Sequence, residues 1–214
     1  MAAAVARGLR PRRLSSPPVT TREQQREETR RRLYESALAI FRRDGVVSAR
    51  TEDIAKAAGV SRGSFYFHFP TKEHVLLERM AETEREVCAA IDELSESLPF
   101  AEILAAINAE LTRIWEHDPQ LLPDLAGAAL RFTATAMNDQ EATPLRAMLS
   151  ERFSVAAQRG EIAVRLPAQL LGDFYLANIL GGLLAWYGNP QIPLASVLAA
   201  VTEMFWNGAR APLR

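Results

Sequence analysis

The chain has 214 residues, 48% of them hydrophobic and 7% aromatic, with a formal charge of −1, a length that suits one large domain or two small ones. Its single cysteine, Cys88, excludes an internal disulfide framework and a Cys-based zinc cluster and suits a reducing compartment. The near-neutral total conceals an asymmetry: residues 1–80 carry a net +7 and residues 81–214 a net −8, so a polyanionic partner is expected for the front portion only.

The first 22 residues contain no acid and hold Arg7, Arg10, Arg12, Arg13 and Arg22. They lack the apolar centre of a secretory signal. Residues 1–20 read as a disordered, Arg-rich arm; a basic arm following a nucleic-acid backbone and an organelle transit peptide share that composition. No apolar run reaches the roughly 18 residues a bilayer requires, since Asn178 interrupts the longest, Phe174 to Tyr187. No membrane-spanning segment is expected.

Thr21-Arg22-Glu23-Gln24 has the form of a capping box, which predicts a helix from there to about Arg43, stopped at Asp44-Gly45. Leu33, Ala37 and Phe41 fall on one stripe of it, and Glu27/Arg31 and Glu28/Arg32 have the spacing of helical ion pairs. Thr51 is placed to cap a short helix ending at Ala58, with Gly59 as its left-handed terminator. Ser61 caps another short helix, which Pro70 stops near Phe69. Thr71 caps a long segment, Lys72 to about Ser97, and Cys88 on it is either packing filler or a redox switch. Further helices are expected over Phe100–His117, Gln120–Met137, Thr143–Arg159, Pro167–Tyr187 and Pro193–Ala209, separated by Pro and Gly breaks. No alternating strand pattern stands out, so the fold class is all-α.

Five ring side chains, Phe65 to Phe69, stand consecutively in the helix after Ser61. At about 100° per residue they cannot all face one core. Phe65 and Phe69 share a face and can pack with Ile54, Ala55, Ala58, Leu38 and Phe41, completing a helix-turn-helix unit. Tyr66, Phe67 and His68 then point outward beside Arg62, Gly63 and Ser64. That face suits the major groove of DNA: Arg62 for guanine or phosphate, Ser64 for base or phosphate, Gly63 for close approach, Phe67 for a thymine methyl. Tyr66 and His68 offer polar tips to phosphates, and Thr51, Ser61 and Lys72 stand at helix starts that attract them. Packing of Phe67 and His68 against the following helix is the alternative, of equal weight for Phe67 alone but not for the whole face.

The segment TEDIAKAAGVSRGSFYFHFPTKEHVL, residues 51–76, resembles the DNA-binding signature of the TetR/AcrR transcriptional regulators. The resemblance covers about residues 25–77, with Arg62, Gly63, Ser64, Tyr66, His68, Phe69, Lys72 and Glu73 at the matching positions. Phe67 and Pro70 depart from it, which leaves the base preference open. It implies a three-helix DNA-binding head over residues 21–70 and an effector-binding and dimerisation domain over 71–214. It further implies a cytoplasmic homodimer, most often a repressor, that releases a palindromic double-stranded DNA operator when a small-molecule effector binds. A regulator without such an effector, controlled by a protein partner or by concentration, is the alternative.

In the second domain, Pro167–Tyr187 carries apolar residues around nearly its whole circumference, so both sides should be covered. Either neighbouring helices wrap it, or one face meets a second subunit. The resemblance places a four-helix dimer interface on the last two helices, with Leu176, Leu180, Leu183, Leu184, Val197, Val201 and Phe205 as candidates. It also implies an effector space among the middle helices. Ile107, Leu111, Trp115, Phe132, Phe153 and Phe174 are candidates for its lining or for plain core. Asn178 would need a hydrogen-bond partner if buried, either another helix or a ligand, and Arg131 would meet an anionic ligand or a surface acid. The three histidines, His68, His74 and His117, lack metal-ligand spacing, and no nucleophile elbow or phosphate loop occurs. No enzyme, cofactor or metal is expected.

Overall fold

The computed structural model describes residues 21–95, 97–136, 143–163 and 166–210, with the side chains of residues 132–136 and 209–210 outside the description. The arm expected over residues 1–20 and the Phe132 side chain therefore lie outside the described residues. Among those described there are nine α-helices and no strand: α1 (Arg22–Ser48), α2 (Thr51–Ala57), α3 (Arg62–His68), α4 (Lys72–Asp92), α5 (Phe100–His117), α6 (Leu122–Ala136), α7 (Pro144–Gln158), α8 (Ala168–Tyr187) and α9 (Leu194–Arg210).

The capping box at Thr21 forms as its residues dictate. The Thr21 hydroxyl accepts from the Gln24 amide at 3.2 Å, and the Gln24 side chain accepts from the Thr21 amide at 2.8 Å. The regular part of α1 ends where Gly45 adopts φ 74°, ψ 157°, a conformation essentially reserved for glycine. A β-carbon there would meet nothing within 4 Å. Backbone angle, and not crowding, demands glycine at this position. Gly59, with φ 69°, ends α2 in the left-handed manner expected of it.

Two boundaries differ from the sequence reading. The long helix from Lys72 stops at Asp92, short of Ser97, and the expected Gln120–Met137 helix divides into a 3-10 turn, Pro119–Leu121, followed by α6. Thr51 is not a cap: Arg50 holds that position without a side-chain bond, and the Thr51 hydroxyl is engaged elsewhere.

Leu33, Ala37, Leu38 and Phe41 of α1 are buried with Ile54, Ala55 and Ala58 of α2 and Phe65 and Phe69 of α3. The same apolar cluster continues through Val75 and Leu76 into a bundle of α4–α9. In that bundle α8 and α9 form a hairpin in close approach. A β-carbon on Gly182 would stand 3.0 Å from Val201 Cγ2, tighter than side chains normally tolerate, so glycine here sets the helix separation. A polar triad crosses the apolar interior: Tyr175 donates to Asn108 Oδ1 at 3.2 Å, and Asn108 Nδ2 donates to Thr202 at 2.8 Å and to the Leu198 carbonyl at 3.2 Å. Burial pushes the Tyr175 phenol up to about 12, so it remains a hydrogen-bond donor.

One sequence expectation changes at α8. It is 20 residues long and contains an 18-residue window of mean hydropathy 1.2, which makes it long and apolar enough to cross a membrane by length and composition. Its buried face carries Leu171, Tyr175, Ile179, Gly182, Leu183 and Trp186; Phe174, Ala177, Asn178, Gly181, Leu184 and Ala185 form an exposed stripe on the other. Such two-sided apolarity is what a core helix with an uncovered outer face shows.

Candidate nucleic-acid interface

The candidate recognition face is built by α3. Ser61 caps it, its hydroxyl accepting from the Ser64 amide at 3.2 Å. Phe65 is fully buried and Phe69 nearly so, and their ring centroids lie 5.9 Å apart. Those two anchors orient the remaining side chains outward. Phe67 is 67% exposed and Tyr66 43%, while Arg62 and Gly63 are exposed and Ser64 and His68 partly so.

The outward residues are pre-arranged by short contacts. Arg62 pairs with Glu52 of α2 at 2.8 Å and lies over the Tyr66 ring at 5.6 Å. The Tyr66 hydroxyl sits 3.1 Å from that of Thr51. Hydrogen bonds from Thr51 and Arg62 lower the Tyr66 phenol below its ordinary range. Thr51, Tyr66, Thr71 and Lys72 border one open surface cleft at the starts of α2 and α4. A β-carbon on Gly63 would find only the Ser61 hydroxyl, at 3.7 Å, so nothing within the chain requires glycine at this exposed point.

The first helix supplies cations that the sequence reading did not place. Arg26 stacks over Phe67 at 5.1 Å and Arg30 over Phe69 at 4.4 Å. Arg30 also donates to the His68 carbonyl at 2.9 Å and pairs with Glu78 of α4, and Arg32 donates to the Ala58 carbonyl at 3.1 Å. The expected Glu28/Arg32 pair is thus replaced by a bond that closes the end of α2, while Arg31 pairs with Glu28 and Glu35. Burial, with Arg26 and Arg30 nearby, lowers the His68 pKa.

Lys72 is the clearest departure. Its ammonium donates to the carbonyls of Val46 at 2.6 Å, Val47 at 3.2 Å and Ala49 at 2.9 Å. It closes the turn between α1 and α2 where the sequence reading had left it open to a phosphate. Carbonyls freed by the Gly45 break draw the nearest cation inward.

The candidates for an effector site separate in the fold. Ile107, Leu111, Trp115 and Phe153 are each buried in the apolar interior. Phe174 and Asn178 are exposed on the outer stripe of α8, and Asn178 donates to the Phe174 carbonyl of its own helix at 2.7 Å. They are not interior residues, because the stripe they share faces away from α7 and α9. Arg131 is exposed. Of the dimer candidates, Leu183 is buried inside the subunit. Leu176, Val197, Val201 and Phe205 lean against the core, Leu180 is half-buried and Leu184 is exposed. The outward residues of α9 include Ala195, Ser196, Ala199, Ala200, Glu203, Met204 and Asn207 instead. Among the described residues no group of three His, Cys, Asp or Glu side chains could hold a metal ion.

The family profile described as "Bacterial regulatory proteins, tetR family" matches residues 33–78. The repressor DhaR of Mycobacterium sp. (strain GP1) is 26% identical over 187 residues, 81% of this chain and 90% of its own length. The structure of Thermus thermophilus FadR, a TetR-family repressor in complex with lauroyl-CoA, superposes with a TM-score of 0.69 at 23% identity, covering 86% of this chain and 97% of that one. That of Bacillus subtilis FadR with stearoyl-CoA gives 0.63 at 20% identity, covering 83% and 98%. With the profile matched over residues 33–78 and the surrounding helices matched in fold, the chain carries the DNA-binding module of the TetR family of transcriptional regulators.

Proposed function

We propose that the protein is a cytoplasmic, homodimeric repressor that reads a palindromic operator through α3 and leaves it when a small molecule enters the bundle. The observation that carries this reading is the outward face of α3, where Arg62, Tyr66 and Phe67 are exposed on a helix anchored from behind by Phe65 and Phe69. Gly63 supports it, since its exposed and unstrained place points to close approach by an external surface. Residues 21–70 act as the reading head and residues 71–214 as the body that pairs and senses.

Pairing is supported by Phe174 and Leu184 on α8 and Met204 on α9, all exposed among small residues. Large apolar side chains exposed in this way mark a candidate interaction surface, and two-fold pairing would set two heads about 34–36 Å apart on successive major grooves. Sensing is supported by the interior of Ile107, Leu111, Trp115 and Phe153, which suits an effector with an apolar body. The buried Trp115 indole N–H and one Glu84 carboxylate oxygen lack hydrogen-bond partners, so an effector with an acceptor oxygen near Trp115 or a donor near Glu84 would relieve them.

Selection of bound duplexes from a random-sequence library, with the dimer mass measured by sedimentation, tests the reading. An enriched inverted repeat bound by two chains is expected. Enrichment of no sequence over shuffled duplex, or a monomer that binds as well as the dimer, would refute it.

A further inference from the structure

The α5–α6 connection and the first turn of α6 reach across to the reading head at two neighbouring contacts. Arg42, near the end of α1, donates twice to Asp118, from Nε to Oδ1 at 2.8 Å and from Nη2 to Oδ2 at 2.6 Å. Asp118 is 8% exposed, so this fork-to-fork pair is shielded from solvent on the acid's side. Four residues further along α1, the Val46 amide donates to Asp124 Oδ2 of α6 at 3.0 Å. Between the two contacts lies Gly45, the position at which α1 breaks. From the other side, Lys72 at the start of α4 holds the Val46, Val47 and Ala49 carbonyls.

The consequence is geometric. The segment Gly45–Arg50 is the lead into α2 and, through it, into α3. It carries the positive-φ glycine and an almost fully exposed Val47. Val46 and Ala49 are buried in the apolar cluster that holds α1, α2 and α3 together, so the three helices move as one head, and the polar contacts at this joint fix how that head sits on the body. Both amide and carbonyl of Val46 are held by body residues, Asp124 and Lys72, while Asp118 fixes the last regular turn of α1.

We propose that Asp118 and Asp124 are positioning residues for DNA recognition: they lock the α1–α2 joint against the body and thereby set the angle, and so the spacing, at which paired heads meet DNA. They touch no nucleotide. This inference rests on the operator-binding dimer proposed above. It adds the prediction that spacing selectivity, and not contact with a single half-site, resides in Asp118 of the α5–α6 connection and Asp124 in the first turn of α6.

The test uses the full chain and palindromes recovered with the wild-type protein, remade with zero to four base pairs inserted between half-sites, together with a duplex carrying one half-site. The wild type should show one sharp spacing optimum. Asp118→Asn, Arg42→Gln and Asp124→Ala should bind the single half-site within about twofold of wild type while the optimum flattens by about tenfold. The Arg42→Gln/Asp118→Asn double variant should be no flatter than either single variant, because both changes remove one interaction. An unchanged spacing profile in Asp118→Asn and Asp124→Ala would overturn the assignment. So would a uniform loss of half-site and palindrome binding that tracks a fall in Tm, since it reports damage to the fold. If the wild type itself selects no palindrome, the operator-binding reading fails and this role falls with it.

Discussion

Lys72→Met separates two roles that one lysine could hold, phosphate ligand or joint clamp. Methionine keeps the length and apolar stem of the side chain while removing its charge and donors. Three carbonyls, of Val46, Val47 and Ala49, then lose a charged donor that now lies 2.6–3.2 Å away. A hydrogen bond to a charged group contributes about 1.5–3 kcal/mol. The Val47 bond is exposed and water replaces it, and Lys72 recovers hydration in the unfolded chain, so the net loss is about 2 kcal/mol. For a chain of this size that is a fall of roughly 4–8 °C in Tm, at about 2–4 °C per kcal/mol. Thermal unfolding followed by circular dichroism measures it, and the slope of log K against log salt on a fixed duplex measures phosphate contacts. The clamp predicts a lower Tm with an unchanged salt slope. An unchanged Tm together with a slope reduced by about 0.9, the value of one phosphate contact, would refute the structural reasoning.

Arg62→Ala should reduce discrimination between operator and random duplex on the order of ten- to a hundredfold, read by competition binding, with random-duplex affinity nearly unchanged. Phe65→Ala, at a fully buried anchor, should destabilise the protein by about 3–5 kcal/mol in urea unfolding and abolish site-specific binding. For His68 the folded-state pKa lies below the unfolded one, so the unfolded chain binds the proton first and stability declines as pH falls through about 6.5. In His68→Gln the decline between roughly pH 6.5 and 5 should be shallower, as urea midpoints will show. Met204→Glu, on the outward face of α9 where Met204 is 69% exposed, should leave the subunit folded and shift sedimentation to the monomer.

The all-helical fold, the helix-turn-helix and the inner anchors were legible in the linear chain, because each rests on local rules. Caps, terminating glycines and the spacing of Phe65 and Phe69 act within one or two turns, and Thr21, Ser61 and Gly59 behave as those rules require. The outward set of Arg62, Tyr66 and Phe67 was legible by subtraction, once the inward rings were assigned. Arg26 and Arg30 were overlooked because their partners, Phe67 and Phe69, lie about forty residues away; a stripe of arginines looks the same in sequence whether it pairs locally or stacks on a distant ring.

Other assignments belonged to the tertiary structure alone. Periodicity showed that α8 is apolar all round, but only packing against α7 and α9 decided that Leu183 turns inward and that Phe174 and Asn178 face out. The destination of Lys72 followed from a backbone break at Gly45 that frees carbonyls beside it. The contacts of Arg42 with Asp118 and of Val46 with Asp124 join residues more than seventy positions apart. No local pattern encodes such a pairing. A helix's own preferences act over three or four neighbours, whereas a charge chooses its partner only after folding has brought the candidates within a few ångströms and stripped away the intervening water.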